Sequence, residues 1–278
     1  MQAAKALFVT QPALSRSIQS LEVELGGVLF DRVGRRIALT PFGREVLARA
    51  QRLVSDAESL KQTGHSLHAG QVGRLRIGLG SGPGAVLTVS MLRYMGEHHP
   101  HLQVEVARGS TDVLVDGLRA QRLDGVIVDI RAMRPSVELT VTHAFELSAS
   151  FLARREHPLA VAGRPVSLDD VLAYPVASTP LSDEVARVLI ERYGPRANPD
   201  DMVTLRCDET QSIVDLARQS DAIVLTIDAA GFDLVPLPVT PALDATARFG
   251  LVTLSRREPA PALRIVQEQL PKWVRALR

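Results

Sequence analysis

The chain has 278 residues, 46% of them hydrophobic and only 4% aromatic, with 32 Lys/Arg against 31 Asp/Glu and a single cysteine. That length holds two domains with aliphatic cores, and one cysteine excludes an internal disulfide framework. No window approaches 18 uninterrupted apolar residues and no basic start leads into an apolar run, so neither a membrane span nor a secretory leader is expected, and the protein is expected in the cytoplasm.

Charge is unevenly spread. Residues 1–70 carry nine Lys/Arg against six Asp/Glu, and residues 71–278 carry 23 against 25. A mildly basic head on a mildly acidic body is compatible with a head that contacts nucleic acid.

Gln2 to Val9 reads as the end of a helix with Ala3, Ala4, Leu7 and Phe8 on its apolar side. After a short break, Thr10 can cap a second helix, and Pro12 suits its first turn, where an amide has no intrahelical acceptor. Leu14, Ile18, Leu21 and Leu25 recur at spacings of four, three and four, giving one apolar stripe. The other face offers Gln11, Ser15, Arg16 and Gln19. Arg can fork onto guanine and Gln onto adenine, while hydroxyls and helix amides hold phosphates. On this stretch alone, an ordinary amphipathic surface helix reads equally well. Gly26-Gly27 stops the helix, and Leu29-Phe30 and Ile37–Leu39 read as two strands around a basic tip with Arg32, Gly34, Arg35 and Arg36. Helix, turn, helix and basic wing is a groove-reading layout, although the arginines alone are compatible with a solvated turn.

From Ala3 to Gly43 the sequence AAKALFVTQPALSRSIQSLEVELGGVLFDRVGRRIALTPFG resembles the LysR-type transcriptional regulators. The carriers are QPALSR, LE, LG, LF with Arg32, and LT followed by Gly43. The resemblance places Thr10, Gln11, Pro12, Ser15, Arg16 and Gln19 on the DNA-contacting face and Arg32, Arg35 and Arg36 in the wing. Family members begin with one further helix, so an upstream start or a truncated form is expected, with residues 1–42 an incomplete winged helix-turn-helix. An intact mass of the native protein beginning at Met1 would contradict that expectation.

Thr40-Pro41 opens a third helical pattern, from about Phe42 to Leu67. Val46, Ala50, Leu53, Ala57, Leu60, Gly64 and Leu67 alternate four and three apart, a heptad seam with small residues that let a partner helix approach. Packing against the chain's own body is the alternative. A homodimer or homotetramer built on this linker, residues 43–72, agrees with the resemblance, because paired subunits present two recognition helices to successive half-sites.

From Arg74 strands alternate with helices. Leu75–Leu79, Leu102–Ala107 and Gly125–Ile130 read as strands, with helices from about Ala85 to His98 and from Thr111 to Arg122. A second set of strands and helices runs from Leu147 to Ile227, before a strand at Arg248–Ser255 and a last helix at Leu263–Leu277. The fold class is α/β. By resemblance, residues 73–278 form a two-lobed effector-binding domain like the type 2 periplasmic binding proteins. Lobe I takes 73–143 and 247–278, lobe II takes 144–246, and hinge crossings fall near His143–Glu146 and Ala245–Arg248.

In open α/β sheets small molecules bind beyond the carboxyl ends of strands, beside helix N-termini. Gly80-Ser81-Gly82, Gly109-Ser110-Thr111 and Ser178-Thr179 offer amides and hydroxyls there, which favours an anion such as a carboxylate. Ser81, Gly82, Ser110, Thr111, Asp129, Ser178 and Thr179 are therefore effector candidates, with simple capping as the other reading. Asp129 and Arg131 either select a polar substituent or pair across the lobes. Pro83 stands where a dinucleotide fingerprint needs its third glycine, and Ser81 lacks the nucleophile-elbow frame. His98-His99-Pro100-His101 lacks companion ligands, so no metal and no cofactor are expected. An enzyme is not expected either. The resemblance implies a regulator of transcription whose partners are double-stranded DNA, a small-molecule effector and RNA polymerase. The alternative is a cytoplasmic ligand-binding module with a head impaired for DNA.

Overall fold

A computed structural model describes residues 8–33, 36–69 and 73–277, and for residues 32, 33, 36 and 58–69 it describes the backbone alone. The first helical stretch, residues 1–7, the wing tip at 34–35 and the joint at 70–72 lie outside the described residues. Two compact units are present, residues 1–61 and 62–278.

In the first unit, helix α1 spans Gln11–Leu25. The Ala13 amide donates to Thr10 Oγ1 at 3.4 Å, and Pro12 occupies the first turn. Gly26, at φ 68°, ends the helix, with Gly26 N–H donating to Val23 O and Gly27 N–H to Glu22 O. This paired return satisfies carbonyls that would otherwise have no partner. Strands β1 (Phe30–Val33) and β2 (Arg36–Leu39) pair antiparallel from Phe30 opposite Leu39 to Val33 opposite Arg36. The Glu22 carboxylate fastens α1 to this hairpin by accepting from the Leu29 and Phe30 amides at 2.7 and 3.3 Å. Thr40 Oγ1 donates to Val28 O at 2.6 Å and accepts from Gly43 N–H at 2.8 Å, opening helix α2, Pro41–Ala69. A Cβ on Gly43 would overlap the Leu29 carbonyl oxygen, so the close approach of helix and hairpin requires glycine there.

In the second unit, β3 (Gly73–Leu79) lies parallel to β4 (Leu102–Arg108) and to β5 (Gly125–Asp129). Helix α3 covers Ser81–His98 and α4 covers Thr111–Arg119. The helix expected from about Ala85 begins at Ser81 instead, so Gly80–Gly84 is not a loop. Gly80 takes the capping position and Gly84 N–H closes the first turn onto Gly80 O at 2.8 Å. Pro83 is tolerated because first-turn amides need no acceptor.

Strand β6 (Leu139–Ala153) leads into two short helices, α5 (Pro158–Val161) and α6 (Leu168–Leu172), then β7 (Val176–Ser178) and helix α7 (Asp183–Tyr193). A further short helix α8 (Pro199–Met202), strand β8 (Leu205–Arg206), helix α9 (Thr210–Gln219) and strand β9 (Ile223–Ile227) follow. Strands β10 (Val235–Pro236) and β11 (Ala245–Leu254) and helix α10 (Pro261–Arg275) complete the unit.

The strand order is β4-β3-β5-β11-β6-β9-β7-β8, with β10 on β6. The crossings expected near His143–Glu146 and Ala245–Arg248 are parts of β6 and β11, not loops. The two strands pair antiparallel from Ala245 opposite Ala149 to Leu254 opposite Leu139. One irregularity interrupts them between Phe249 and Leu251, and His143 nearby has φ 51°. Leu75, Ile77 and Leu79 are wholly buried against α3 and α10, while Phe151, Val176 and Leu225 centre a second core with α6 and α7. This aliphatic burial, at roughly 25 cal/mol per Å² of apolar area, is the main favourable contribution to the fold.

Candidate functional site

Gly80, Ser110 and Ser182 are the capping residues of α3, α4 and α7, and none of the three caps its helix with a side-chain hydrogen bond. First-turn amides without side-chain caps are open donors, and each helix adds its positive end. All three helix starts line one cavity of about 230 Å³.

Ser81, Gly82, Ser110, Thr111, Asp129 and Thr179 all line this cavity. Ser178 does not. It is wholly buried and its hydroxyl donates to Leu225 O at 2.9 Å, so it pins β7 to β9. As the last residue of β7 it has its side chain in the sheet's packing, while Thr179 just beyond the strand lines the cavity. The Ser81 hydroxyl donates to the Asp208 carbonyl at the start of α9. A Cβ on Gly82 would lie 2.8 Å from the Phe249 ring, so glycine lets this apolar wall meet the start of α3.

Sequence reasoning missed Ser182. It is 6% exposed and lines the cavity, yet its hydroxyl has no hydrogen-bond partner. A serine ahead of Asp183-Glu184 reads as an ordinary cap, and only the coordinates show that its oxygen is left free. Sequence reasoning also missed Leu225, Ile227, Leu243 and Phe249, which supply apolar wall from strands and a loop remote in sequence.

Asp129 ends β5, and its carboxylate accepts from Arg131 N–H at 2.9 Å. Burial pushes its carboxyl up. The Arg131 and Ala132 amides and the Arg131 guanidinium oppose the rise, and the Glu184 carboxylate adds to it. Arg131 pairs with side chains of two other elements, β6 and α7. Its guanidinium donates to Thr246 O at 2.8 Å and lies 3.1 Å from Glu184 and 3.6 Å from Glu146. Arg108 donates to Ser81 O at 3.3 Å, and burial lowers its pKa against the opposing pull of Glu209. His98 stacks on Tyr94, with ring centroids 4.3 Å apart.

On the first unit, Gln11, Pro12, Ser15, Arg16 and Gln19 are exposed, and α1 has no buried residue. Ala13, Leu14, Ile18 and Glu22 mark its half-buried side. The side chains of Arg32, Arg35 and Arg36 lie outside the described residues. Along α2, Ala50, Leu53 and Ala57 are exposed, Leu53 at 70%, and Val46 is half-buried. The side chains of Leu60, Gly64 and Leu67 are not described. No helix of the described residues is long and apolar enough to cross a membrane.

Two families match the chain. The LysR substrate binding domain matches residues 68–275, and the bacterial regulatory helix-turn-helix protein of the lysR family matches residues 1–44. An SDS degradation transcriptional activation protein from a Pseudomonas species is 32% identical over 269 residues, 94% of this chain and 87% of that protein. The uncharacterized HTH-type transcriptional regulator YnfL of Escherichia coli is 27% identical, covering 95% of this chain and 89% of its own. Full-length CbnR complexed with its target DNA matches in fold with a TM-score of 0.69 at 19% identity, covering 100% of this chain and 93% of that one. A full-length OxyR variant from Pseudomonas aeruginosa gives a TM-score of 0.65 at 19% identity, over 99% and 88% of the two chains.

Proposed function

The chain belongs to the LysR family of transcriptional regulators, with a helix-turn-helix DNA-binding domain and an effector-binding domain, and from that premise we propose how its own residues do the work. Helix α1 enters a major groove with Gln11, Ser15, Arg16 and Gln19 toward base edges, while Thr10 and Pro12 at its start approach phosphates. Arg32, Arg35 and Arg36 run along the backbone or into the adjacent minor groove. The heptad face of α2, with Val46, Ala50, Leu53, Ala57, Leu60 and Leu67, pairs two subunits, so that two copies of α1 meet successive half-sites. The assembly is a homodimer or a pair of dimers, acting in the cytoplasm on double-stranded DNA with RNA polymerase as the downstream partner.

The cavity is read as the effector site. A small molecule carrying a carboxylate fits its uncapped helix starts and hydroxyls, with Ser81, Gly82, Ser110, Thr111, Asp129 and Thr179 as contacts. Ser178 acts behind them as a support. The cavity is read as a receptor rather than a catalytic centre, since no histidine or lysine stands among its lining residues to serve as base for a hydroxyl. A ligand that prefers one arrangement of the lobes shifts that equilibrium and so the spacing of the paired heads.

The observation that carries this reading is the exposed Gln11–Ser15–Arg16–Gln19 face on a helix anchored to its wing by Glu22. Gel shift of the full chain on the region upstream of its own gene tests it. Binding that weakens about tenfold or more in Arg16→Ala, as loss of a bidentate base contact worth roughly 1–3 kcal/mol requires, supports the reading. Indifference of the intact chain to that duplex at modest salt overturns it.

A further inference from the structure

The charges around the cavity do not suit a simple anion. Asp112, Asp129 and Asp208 all line it, and no Lys, Arg or His is among its lining residues. Two guanidinium groups stand beside it. Arg131 spends its donors on Thr246 O, Glu184 and Glu146, and Arg108 donates to Ser81 O opposite Glu209. A ligand bearing only negative charge would meet three lining carboxylates and no lining cation.

Against this, one helix start in the lining is built to accept a carboxylate. Ser182 precedes the 11-residue helix α7 and is 94% buried, and its hydroxyl has no partner. The first bond of the helix is Ala186 N–H to Ser182 O at 3.0 Å, so the amides of residues 183–185 have no intrahelical acceptor. A capping serine ordinarily accepts from one of these amides, and here it does not. A ligand oxygen satisfies hydroxyl and amides together. The same lining carries a carboxylate that wants a cation. Asp129 accepts backbone amides and has no ion pair within 4 Å among the described residues. It lies near the same helix start, because Arg131, whose amide it accepts at 2.9 Å, reaches Glu184, two residues beyond Ser182, at 3.1 Å. Apolar wall is supplied by Val185, Leu225, Ile227, Leu243 and Phe249. At about 230 Å³ the cavity falls below the roughly 300–1,000 Å³ that takes drug-sized ligands.

We infer that the effector is a zwitterion, a free α-amino acid with an apolar side chain, its carboxylate on Ser182 and the start of α7 and its ammonium on Asp129. The inference rests on the reading of the cavity as the effector site, and it makes Ser182 and Asp129 the residues that set ligand class.

The test is calorimetric titration of the full chain with L-leucine, L-valine and L-phenylalanine and with two truncated analogues of leucine. One, 4-methylpentanoate, keeps the acid, and the other, 3-methylbutylamine, keeps the amine. At least one amino acid is expected to bind tenfold or more tighter than either type of truncated ligand. Asp129→Asn is expected to remove that preference and leave the weak binding of 4-methylpentanoate unchanged or improved. Ser182→Ala is expected to weaken both acids and spare the amine, with unliganded melting showing that each variant folds. Equal or tighter binding of 4-methylpentanoate to the wild-type chain overturns the inference, as does failure of all three amino acids to bind. The wild-type series needs no variant, and a gel-shift arm separates the two levels. DNA mobility that responds to a simple acid but not to amino acids leaves the receptor reading standing and removes only the zwitterion.

Discussion

Single atoms decide several properties of this chain. Gly43 faces the Leu29 carbonyl oxygen, and Thr40 N–H already donates to that oxygen at 3.0 Å. Gly43→Ala is therefore expected to destabilise the head by about 1–3 kcal/mol, the usual cost of overpacking, seen as an earlier thermal transition. Ser178→Ala removes a donor buried against Leu225 O, and about 1–3 kcal/mol is expected to be lost from the second unit with ligand affinity unchanged. Affinity falling as steeply as stability would contradict the supporting role. Asp129 adds a pH dependence. Its folded-state carboxyl is raised by burial, so its contribution to stability is fully present below the ordinary carboxylate value of about 3.9 and is lost as pH rises through the raised one. Asp129→Asn is accordingly expected to melt above the wild type at pH 7 without ligand, with the gap closing as pH falls toward 4. A gap that widens on acidification would mean that its amide contacts outweigh its burial.

In the proposed reading, whole elements carry the pairing and the reading of DNA. In α2 the Leu53 side chain is 70% exposed on one face, flanked by exposed Ala50 and Ala57. An aspartate there puts a charge into the seam, so Leu53→Asp is expected to yield monomers by sedimentation and to weaken DNA binding by more than tenfold. Unchanged dimers would place the subunit contact elsewhere. Helix α1 combines a hydroxyl cap at Thr10 with a left-handed stop at Gly26, and both ends are written in the sequence. Its burial is a different matter. Leu14 and Ile18 are half-buried, and Leu21 and Leu25 are exposed at 38% and 44%, so the apolar stripe marks a side of the helix without fixing how much of it is covered.

At the scale of the effector domain, the two lobes share strands. β6 and β11 run through both as an antiparallel pair, with one irregularity between Phe249 and Leu251. Strand pairs bend at such points more readily than elsewhere along their length. Arg131 ties the carboxyl end of β5 to Glu184 at the start of α7, and Glu146 is shared with Arg248. The Ser81 hydroxyl reaches Asp208 O across the same gap. In the proposed reading ligand and lobe contacts draw on the same few groups, so a small molecule bound there would change the balance between two lobe arrangements.

Local chemistry was enough to determine the head motif, the long helix that carries the heptad pattern, the alternation of strands and helices, and the strand ends around Ser81, Ser110 and Thr179. Caps, glycine stops and hydrophobic periods act over a few residues, so they are legible in order along the chain. The sequence could not show that α3 begins at Ser81, because Gly-Ser-Gly-Pro-Gly reads as a loop until Gly80 is seen to cap it. Nor could it show that Ser178 is spent on Leu225 while Ser182 keeps a free hydroxyl, or that Arg131 chooses Glu184. Those outcomes depend on which strand lies beside which and on groups more than forty residues apart, and only the folded sheet brings such groups within hydrogen-bonding distance.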